Sequence, residues 1–302
     1  MVRMPQPHGL FAGLATLDVA QHVERPPGAN EKVTATATHL SAGGPAANAA
    51  VAFAALGGRA TLLTALGESP TAVLVRAELE EQGVDVVDVT PDATAPPPVS
   101  AIIVTTATGE RSVVGSDAVA STVEAPDGEA LAALVADADV VLVDGHHPRL
   151  GVGTATAART AGVPVVLDLG RWKPAMDALV PLADHVVCSA DARAPGATDH
   201  ASSVAALRER GARVVVVTRG AAPALWWADG DDGEVAVPRV VAVDTLGAGD
   251  AFHGAYTFAV GCGQGPTAAV RLGVDVASLR VAHAGPRAWA AHLPARQGAT
   301  DD

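Results

Sequence analysis

The sequence predicts an α/β fold, a three-layer α/β/α sandwich with a small β-sheet lid. Short apolar runs alternate with helical stretches, which is typical of parallel βαβ units with helices on both faces of a sheet. The 302 residues, 49% of them hydrophobic, suffice for one large core, so we expect a single domain over residues 1–302. Short strands that break the alternation, about 18–42 and 96–116, predict a separate sheet lying over the ligand end of the core.

The first part of the chain contains both kinds of element. We expect a strand at Leu10–Val19 and an alanine-rich helix that follows Gly43 and Gly44 and continues to about Leu56. The next three predicted elements are a strand at Ala60–Leu66, a helix at about Thr71–Gln82 and a short strand at Val84–Val89. After a proline break, a hairpin around Gly109 is predicted from Ser100–Thr105 and Arg111–Val114.

Strands and helices alternate more regularly in the second part. The apolar runs predicted as strands are Val140–Val143, Val165–Leu169, Val186–Cys188 and Arg213–Thr218. A helical stretch that ends at Ala161, before Gly162, separates the first two runs. Trp226 and Trp227 begin an antiparallel-looking tail that continues to Val243. Two predicted helices, about Ala251–Val260 and Thr267–His283, complete the sandwich.

Composition excludes several classes of protein. The net charge of −13 argues against a nucleic-acid partner, because affinity for the phosphate backbone depends on dense Lys and Arg. No apolar run approaches the roughly 20 residues that cross a bilayer, and the first ten residues contain no secretory signal pattern. Cys188 and Cys262, the two cysteines, exclude a disulfide framework, and we expect free thiols in the cytoplasm.

The most informative segment is VDTLGAGDAFHG, residues 243–254. We expect a strand that ends at Asp244, a glycine-containing turn and a helix that begins near Gly249 and Asp250. Free N–H groups at a helix start attract negative charge, and the glycines let the backbone approach a ligand. Asp250 beside such a pocket is suited to take the proton of a hydroxyl that attacks a phosphoryl group. The alternative is an ordinary helix start, where Asp250 only interacts with the helix dipole.

A second informative segment is SAGGPAANAA, residues 41–50. Gly43 and Gly44 let the chain pass close to a ligand, and Pro45 suits the first turn of a helix. Asn48 is a polar residue among alanines, and its amide both donates and accepts hydrogen bonds, which suits a polyol. The alternative is that Asn48 bridges neighbouring elements while the alanines allow tight packing.

These two segments, D-T-x-G-A-G-D-x-F and G-G-x-x-x-N-x-A, resemble in order and separation the two signatures of the ribokinase-like, or PfkB-type, carbohydrate kinases. The likeness runs from Gly9 to about Ala290, with a leaning toward the sulfofructose and ketohexose kinases. It implies a ribokinase-like, Rossmann-like sandwich. It also implies Asp250 as catalytic base, the amides of Gly247, Ala248 and Gly249 as anion hole, and Asp244 near the substrate.

The same resemblance assigns a sugar-binding role to Gly43, Gly44, Asn48 and the early Asp18. Without it, a carboxylate at the end of a strand is more often a turn residue. In some members of the family the counterpart of Asp244 lies near a monovalent cation. Leu246 stands where many members have threonine, so cation dependence is left open.

The motifs that would bind the nucleotide match the family pattern less closely. Ser189 follows a strand where many members have N-x-x-E, but alanines stand where glutamates are usual, and Asp191 is the remaining carboxylate. The metal ligands are therefore unknown, although Mg²⁺ with ATP is expected. Thr218 and Gly220 end another strand in a T-x-G turn that resembles the nucleotide-side turn of the family. They are candidates for phosphate or ribose contacts, and a plain strand-to-turn junction is the alternative. Arg171, beyond the strand Val165–Leu169, is a further phosphate candidate, and a solvated loop is its alternative.

His146 and His147 are adjacent, so their side chains diverge, and no Cys/His set accompanies them. A zinc site is therefore disfavoured. His253 is expected to pack or hydrogen-bond rather than titrate in catalysis.

We expect an ATP-dependent phosphotransferase that acts on a hydroxyl of a small sugar of ketose or pentose type. The alternatives are a nucleoside kinase of the same fold and a sugar-binding regulator without turnover. A Rossmann oxidoreductase is disfavoured, because no G-x-G-x-x-G follows the first strand. The expected partners are small molecules, with no nucleic acid and no membrane, and the resemblance is compatible with a homodimer formed through the lid.

Overall fold

The structure, a computed structural model, describes residues 6–294. Residues 1–5 and 295–302 lie outside this range. The predicted domain over residues 1–302 includes both segments, and the first ten residues, in which no secretory signal is predicted, include residues 1–5. The strands are β1 His8–Ala12, β2 Thr16–Val23, β3 Ala37–Gly43, β4 Arg59–Thr64, β5 Val84–Asp88, β6 Val99–Thr105, β7 Arg111–Gly115, β8 Val140–Val143, β9 Val165–Leu169, β10 His185–Ser189, β11 Val214–Arg219, β12 Ala222–Ala228 and β13 Asp231–Val235. The helices are α1 Pro45–Ala55, α2 Pro70–Glu81, α3 Gly128–Ala136, α4 Pro148–Ala161, α5 Met176–Leu179, α6 His200–Glu209, α7 Ala248–Gly261 and α8 Pro266–Val281.

The main sheet has nine strands in the order β13-β12-β11-β10-β9-β8-β1-β4-β5. The strands from β11 to β5 in this order are parallel, and β12 and β13 add an antiparallel edge. Parallel strands with both faces covered are apolar throughout, and the valines of β11 are buried on both faces as predicted. Because all the parallel strands end at one edge of the sheet, that edge is where loops carrying polar side chains gather.

Helices cover both faces of this sheet, which makes three layers. Phe11 and Leu142 pack on one face with α1, α7 and α8, whereas Leu10 and Val143 pack on the other with α3 to α6. Neighbouring residues of one strand therefore contribute to opposite cores, as the alternation of side chains along a strand requires. The predicted α/β/α sandwich is confirmed. Within residues 6–294 no helix combines the length and apolarity needed to cross a bilayer.

A second, smaller sheet contains four strands in the order β3-β2-β6-β7. Its register puts Asp18 opposite both Ser41 and Ser100, and Ser100 opposite Gly115. Residues directly opposite each other share a face, so these four form one polar row across the sheet. The four strands fall within or overlap the predicted segments 18–42 and 96–116.

Two predicted strands are wrong. Leu10–Val19 is divided between β1 and β2, which belong to different sheets, because the chain leaves the main sheet at Gly13. A Cβ atom at Gly13 would lie 2.3 Å from the Asp144 carboxylate, so the crossing depends on glycine. No strand ends at Asp244: β13 stops at Val235, and the chain continues without strand pairing through Pro238, which has no N–H to donate. Helices α3 and α6 have no counterpart among the predicted elements.

Candidate active site

A cleft of about 380 Å³ lies between the carboxyl edge of the main sheet and the polar row of the small sheet. Asp18 and Ser100 of the small sheet, Asn48 of α1 and Asp250 of α7 line it. A smaller adjoining hollow shares Asp18 and Asn48 with the cleft and reaches Arg287. Residues from five separate parts of the chain thus face one space, and two of those parts begin a helix.

Asp250 lies in the first turn of α7, which begins at Ala248. Gly247 precedes the helix with φ of +67°, a conformation that glycine adopts without strain. N–H groups in a first helical turn have no carbonyl earlier in the helix to bind, which favours an anion there. The Ala248 N–H makes a long hydrogen bond, 3.4 Å, to the Thr245 carbonyl oxygen. The Asn48 side chain donates from Nδ2 to Asp250 Oδ2 at 2.8 Å, which joins the two signature segments directly.

Burial raises the pKa of Asp250 from 3.8 to about 6, and the negative charge of Asp168 adds to this rise. The hydrogen bond from Asn48 opposes it. Asp168 is buried at the end of β9, with Oδ1 3.4 Å from His253 Nε2. A carboxylate with a pKa near 6 is ionised at neutral pH and still accepts a proton readily, which suits a general base. His253 Nδ1 lies 2.7 Å from the Gly249 carbonyl oxygen, to which it donates a hydrogen bond.

The orientation of the Asn48 amide is fixed by Arg287, which the sequence analysis did not single out. Arg287 donates from NH1 to Asn48 Oδ1 at 2.9 Å, from Nε to Glu78 Oε1 at 3.0 Å and from NH2 to the Ala42 carbonyl oxygen at 2.7 Å. With Oδ1 bound to an arginine, Nδ2 of Asn48 must face Asp250. Arg287, Glu78 and Asn48 are far apart in the chain, so no local pattern reveals this network.

Asp18 is buried on the polar row and receives a 2.7 Å hydrogen bond from Thr16 Oγ1. Burial raises the pKa of Asp18, while hydrogen bonds from Thr16 and Ser100 and the charge of Arg287 oppose the rise. Gly43 is required beside it, because a Cβ atom there would lie 2.0 Å from Asp18 Oδ2. Gly44, with φ of +97°, has the Leu14 carbonyl oxygen 2.3 Å from a would-be Cβ. These two glycines let the start of α1 approach the carboxylate.

Asp144 holds the start of α1 against the end of β1. Its buried carboxylate accepts hydrogen bonds from the backbone N–H groups of Leu14 at 2.9 Å and Ala46 at 3.1 Å. Lys173 Nζ, also buried, donates to the Asp144 carbonyl oxygen at 2.8 Å. The carboxylate thus fixes the position from which Asn48 reaches the cleft, and the sequence analysis attached no role to it.

Of the candidates for the nucleotide side, Ser189 and Thr218 are neighbours in register at the ends of β10 and β11. Gly220 is exposed in the turn that follows, with φ of +59°. Arg171 follows Gly170, whose carbonyl oxygen accepts a 2.7 Å hydrogen bond from Ser189 Oγ. Arg171 forms an ion pair with Asp117 and lines the cleft that contains Asp250. Ser189, Thr218 and Gly220 therefore lie together at the ends of β10 and β11, and Arg171 lines the cleft together with Asp18.

Asp244 is not among the residues that line the cleft or the adjoining hollow, and its place near the substrate stays a prediction. Its side chain is buried, and both carboxylate oxygens are bound by protein groups. Oδ1 accepts from the Leu246 N–H at 2.9 Å, whereas Oδ2 accepts from Arg280 NH2 at 3.1 Å and from the Gly285 N–H at 3.3 Å. Asp244 therefore fixes the turn that precedes α7.

His146 and His147 are both buried after β8, and His147 Nδ1 lies 2.9 Å from Ser121 Oγ. Within residues 6–294, no group of three or more His, Cys, Asp or Glu side chains is placed to hold a metal ion.

This architecture, a nine-stranded α/β/α sandwich with a polar cleft at a helix start, is that of a small-molecule kinase. Residues 10–292 match the pfkB family carbohydrate kinases, and the chain belongs to that family. An ATP-dependent ribose-1-phosphate kinase from Halopiger xanaduensis is 32% identical, over 80% of this chain and 81% of that protein. Ribokinase from Arabidopsis thaliana is 27% identical, over 90% of this chain and 75% of that protein. The protein is thus an ATP-dependent carbohydrate kinase.

Solved structures agree on the fold. A candidate ribokinase from Agrobacterium tumefaciens superposes with a TM-score of 0.83 at 32% identity, covering 95% of this chain and 94% of that one. Arabidopsis thaliana ribokinase, solved with ribose and ATP, gives a TM-score of 0.75 at 24% identity, covering 93% and 94% of the two chains. The second likeness, at this identity, extends to the fold alone.

Proposed function

We propose that this kinase transfers the γ-phosphoryl group of ATP to a hydroxyl of a small ketose or pentose, with Asp250 as the base. The observation that carries the proposal is the Asn48–Asp250 pair at the start of α7, 2.8 Å apart. The pair faces Asp18 across the cleft, so one space contains a candidate base, an amide and a second carboxylate. Carboxylate and amide groups together satisfy the donors and acceptors of a polyol.

In this mechanism Asp18 and Asn48 hold the sugar, and Asp250 accepts the proton of the attacking hydroxyl. The backbone N–H groups of Gly247, Ala248 and Gly249 stabilise the charge on the transferring phosphoryl oxygens. Asp250 thus removes the proton as the oxygen–phosphorus bond forms and ADP leaves. The small sheet acts as a lid, since its polar row covers the cleft and excludes water that would compete with the sugar.

ATP is proposed to bind along the ends of β10 and β11, with Ser189, Thr218 and Gly220 as contacts. Arg171 is proposed to meet the phosphates from the side of the cleft. Mg²⁺ usually binds through substrate phosphates and one or two carboxylates, and no larger ligand cluster occurs within residues 6–294. We propose that the ion arrives with ATP and that Asp168, whose charge acts on Asp250 from the end of β9, is a candidate carboxylate to receive it. Bound there, Mg²⁺ would neutralise the β- and γ-phosphate charge.

Two alternatives remain for the same fold, a nucleoside acceptor and a regulator that binds sugar without turnover. A nucleoside acceptor is supported by a relative, adenosine kinase from Schizosaccharomyces pombe, 30% identical over 46% of this chain. A sugar acceptor is supported by longer matches, among them ketohexokinase from Mus musculus, 26% identical over 90% of this chain. A regulator that binds sugar without turnover would not need a base, and the raised pKa of Asp250 favours catalysis.

The test is ADP release from Mg-ATP across ketoses, aldoses, sugar phosphates, sulfofructose and nucleosides. Asp250→Ala should lower kcat by about 10²–10⁴-fold with little change in sugar affinity, because it removes only the base. Asp275→Ala is the matched control, since Asp275 is exposed on α8. Sugar binding in calorimetry with no turnover in the wild type would instead support the regulator, and turnover with nucleosides alone would name the other acceptor.

We also propose that the protein works in the cytoplasm, where ATP is available. We propose as well that the protein forms a homodimer through the small sheet.

A further inference from the structure

A buried arginine is hydrogen-bonded to the start of the turn that is proposed to form the anion hole. Arg280, in the last turn of α8, is 2% exposed. Its NH2 donates to Asp244 Oδ2 at 3.1 Å, and its NH1 donates to the carbonyl oxygens of Asp244 at 3.3 Å and His283 at 3.0 Å. One carboxylate and two backbone carbonyls thus converge on a single positive charge in the interior.

That set of acceptors is the kind that binds a hard cation, since carboxylate and carbonyl oxygens are its preferred ligands. A guanidinium remains protonated in proteins, so the charge at this place is permanent. Both oxygens of Asp244 are already bound by Arg280, Leu246 and Gly285. An ion such as K⁺ would have to displace the guanidinium from the same oxygens, so these residues do not fit a separate monovalent cation at Asp244.

The arginine also connects two segments that form the site. Through Asp244 it holds the turn that leads to Gly247, and through the His283 carbonyl it holds the loop that follows α8. That loop carries Arg287, whose NH1 orients Asn48 beside Asp250. Arg280 is therefore coupled to the anion hole from one side and to the base from the other.

We propose that Arg280 is a built-in cation that takes the place of a monovalent ion behind the anion hole, so that this kinase needs no K⁺ or Na⁺. Arg280 is a positioning residue in this account: it lines the hollow beside the cleft, and no step of the proposed transfer uses its guanidinium. The proposal rests on the proposed function for its kinetic consequence, but its structural consequence is independent of turnover.

The first experiment compares wild-type ADP release in KCl, NaCl and tetramethylammonium chloride at matched ionic strength, after removal of alkali ions. We expect the same kcat and KM in all three salts. A kcat that rises severalfold in KCl or NaCl alone would overturn the proposal. The melting temperature should also be equal in the three salts. This measurement tests the proposal even if no acceptor in the panel is turned over.

The second experiment removes the guanidinium. Arg280→Ala should lower kcat by roughly 10²-fold, because a displacement of about 1 Å in a catalytic geometry has that effect. Added guanidinium or K⁺ should partly restore both kcat and the melting temperature, whereas tetramethylammonium, which is too large, should not. Arg280→Lys should retain more activity than Arg280→Ala and respond less to added ions.

Arg59→Ala, at a half-exposed ion pair with Asp137, is the matched control and should show no response to any ion. If Arg280→Ala fails to fold, the same salts are compared for Arg280→Lys by melting temperature. A loss of kcat in the Arg280 variants that no small cation restores, with Arg280→Lys equal to Arg280→Ala, would overturn the role as a cation. Absence of turnover with every acceptor, with the ion effects on melting temperature as expected, would instead overturn only the proposed function.

Discussion

At the scale of single residues, the proposed proton transfer depends on the pKa of the Asp250 carboxyl group. Burial and Asp168 raise its pKa, and the N–H of Asn48 limits that rise. The amide is useful there only because Arg287 occupies its carbonyl oxygen. Besides the sugar contact proposed for it, the motif residue Asn48 therefore lowers the pKa of Asp250.

The predicted consequence is a fall of kcat/KM at acidic pH. A base with a pKa of about 6 is active when ionised, so kcat/KM should fall as pH drops through about 6 and level off above it. Asn48→Ala removes the hydrogen bond that lowers the pKa of Asp250, so kcat/KM of this variant should begin to fall at a higher pH. Steady-state assays of both proteins over a pH series give the comparison. This account of Asp250 would be contradicted if kcat/KM of the wild type fell only near pH 4. It would also be contradicted if kcat/KM of Asn48→Ala fell at the same pH as that of the wild type.

At the scale of elements, the site depends on how closely α1 approaches α7. Gly254 of α7 makes this approach possible: a Cβ atom there would lie 2.2 Å from the Ala49 carbonyl oxygen and 2.7 Å from Ala52 Cβ. The alanines of α1, which the sequence analysis associated with tight packing, are the other half of this contact. Because Asn48 and Asp250 belong to these two helices, the distance between the helices sets the distance between the side chains.

Gly254→Ala should therefore be destabilising and should also lower kcat. Overpacking of this kind costs about 1–3 kcal/mol, which corresponds to a fall in melting temperature of roughly 2–10 °C for a chain of this size. Gly128→Ala, at the first residue of α3 with open space around it, is the control and should leave both quantities unchanged. Calorimetry and ADP release measure them. A Gly254→Ala protein as stable and active as the wild type would show that the helices separate freely.

The elements also show what sequence can and cannot predict. The signature segments predict α1 and α7, because each motif combines a turn with a helix start, whereas the hydrogen bond between Asn48 and Asp250 emerges only from the structure. The division between β1 and β2 escapes prediction, since an apolar run does not record a change of sheet at Gly13. Arg280 and Arg287 also escape it, because their partners, Asp244 and Asn48, are distant in sequence and a lone arginine has no periodic signal.

At the scale of the whole molecule, the small sheet has a second face that points away from the cleft. Val19 lies opposite both Leu40 and Ala101, and Ala101 lies opposite Val114, so these four form a row on that face. Leu40 is 63% exposed and Val114 is 76% exposed. Exposed apolar rows of this kind mark contact surfaces, and this one extends from one edge strand to the other.

The proposed homodimer would bury this row against the same row of a second copy, since a two-fold interface uses one patch twice. Sedimentation velocity at micromolar concentration should give a dimer for the wild type and a monomer for Leu40→Asp/Val114→Asp, because buried carboxylates without partners oppose association. Ala132→Asp, on the exposed side of α3, is the control and should remain a dimer. The dimer would also hold the small sheet over the cleft, so the monomeric variant should show a higher KM for sugar with kcat less affected. A monomeric wild type would contradict the assembly and leave the row without that role.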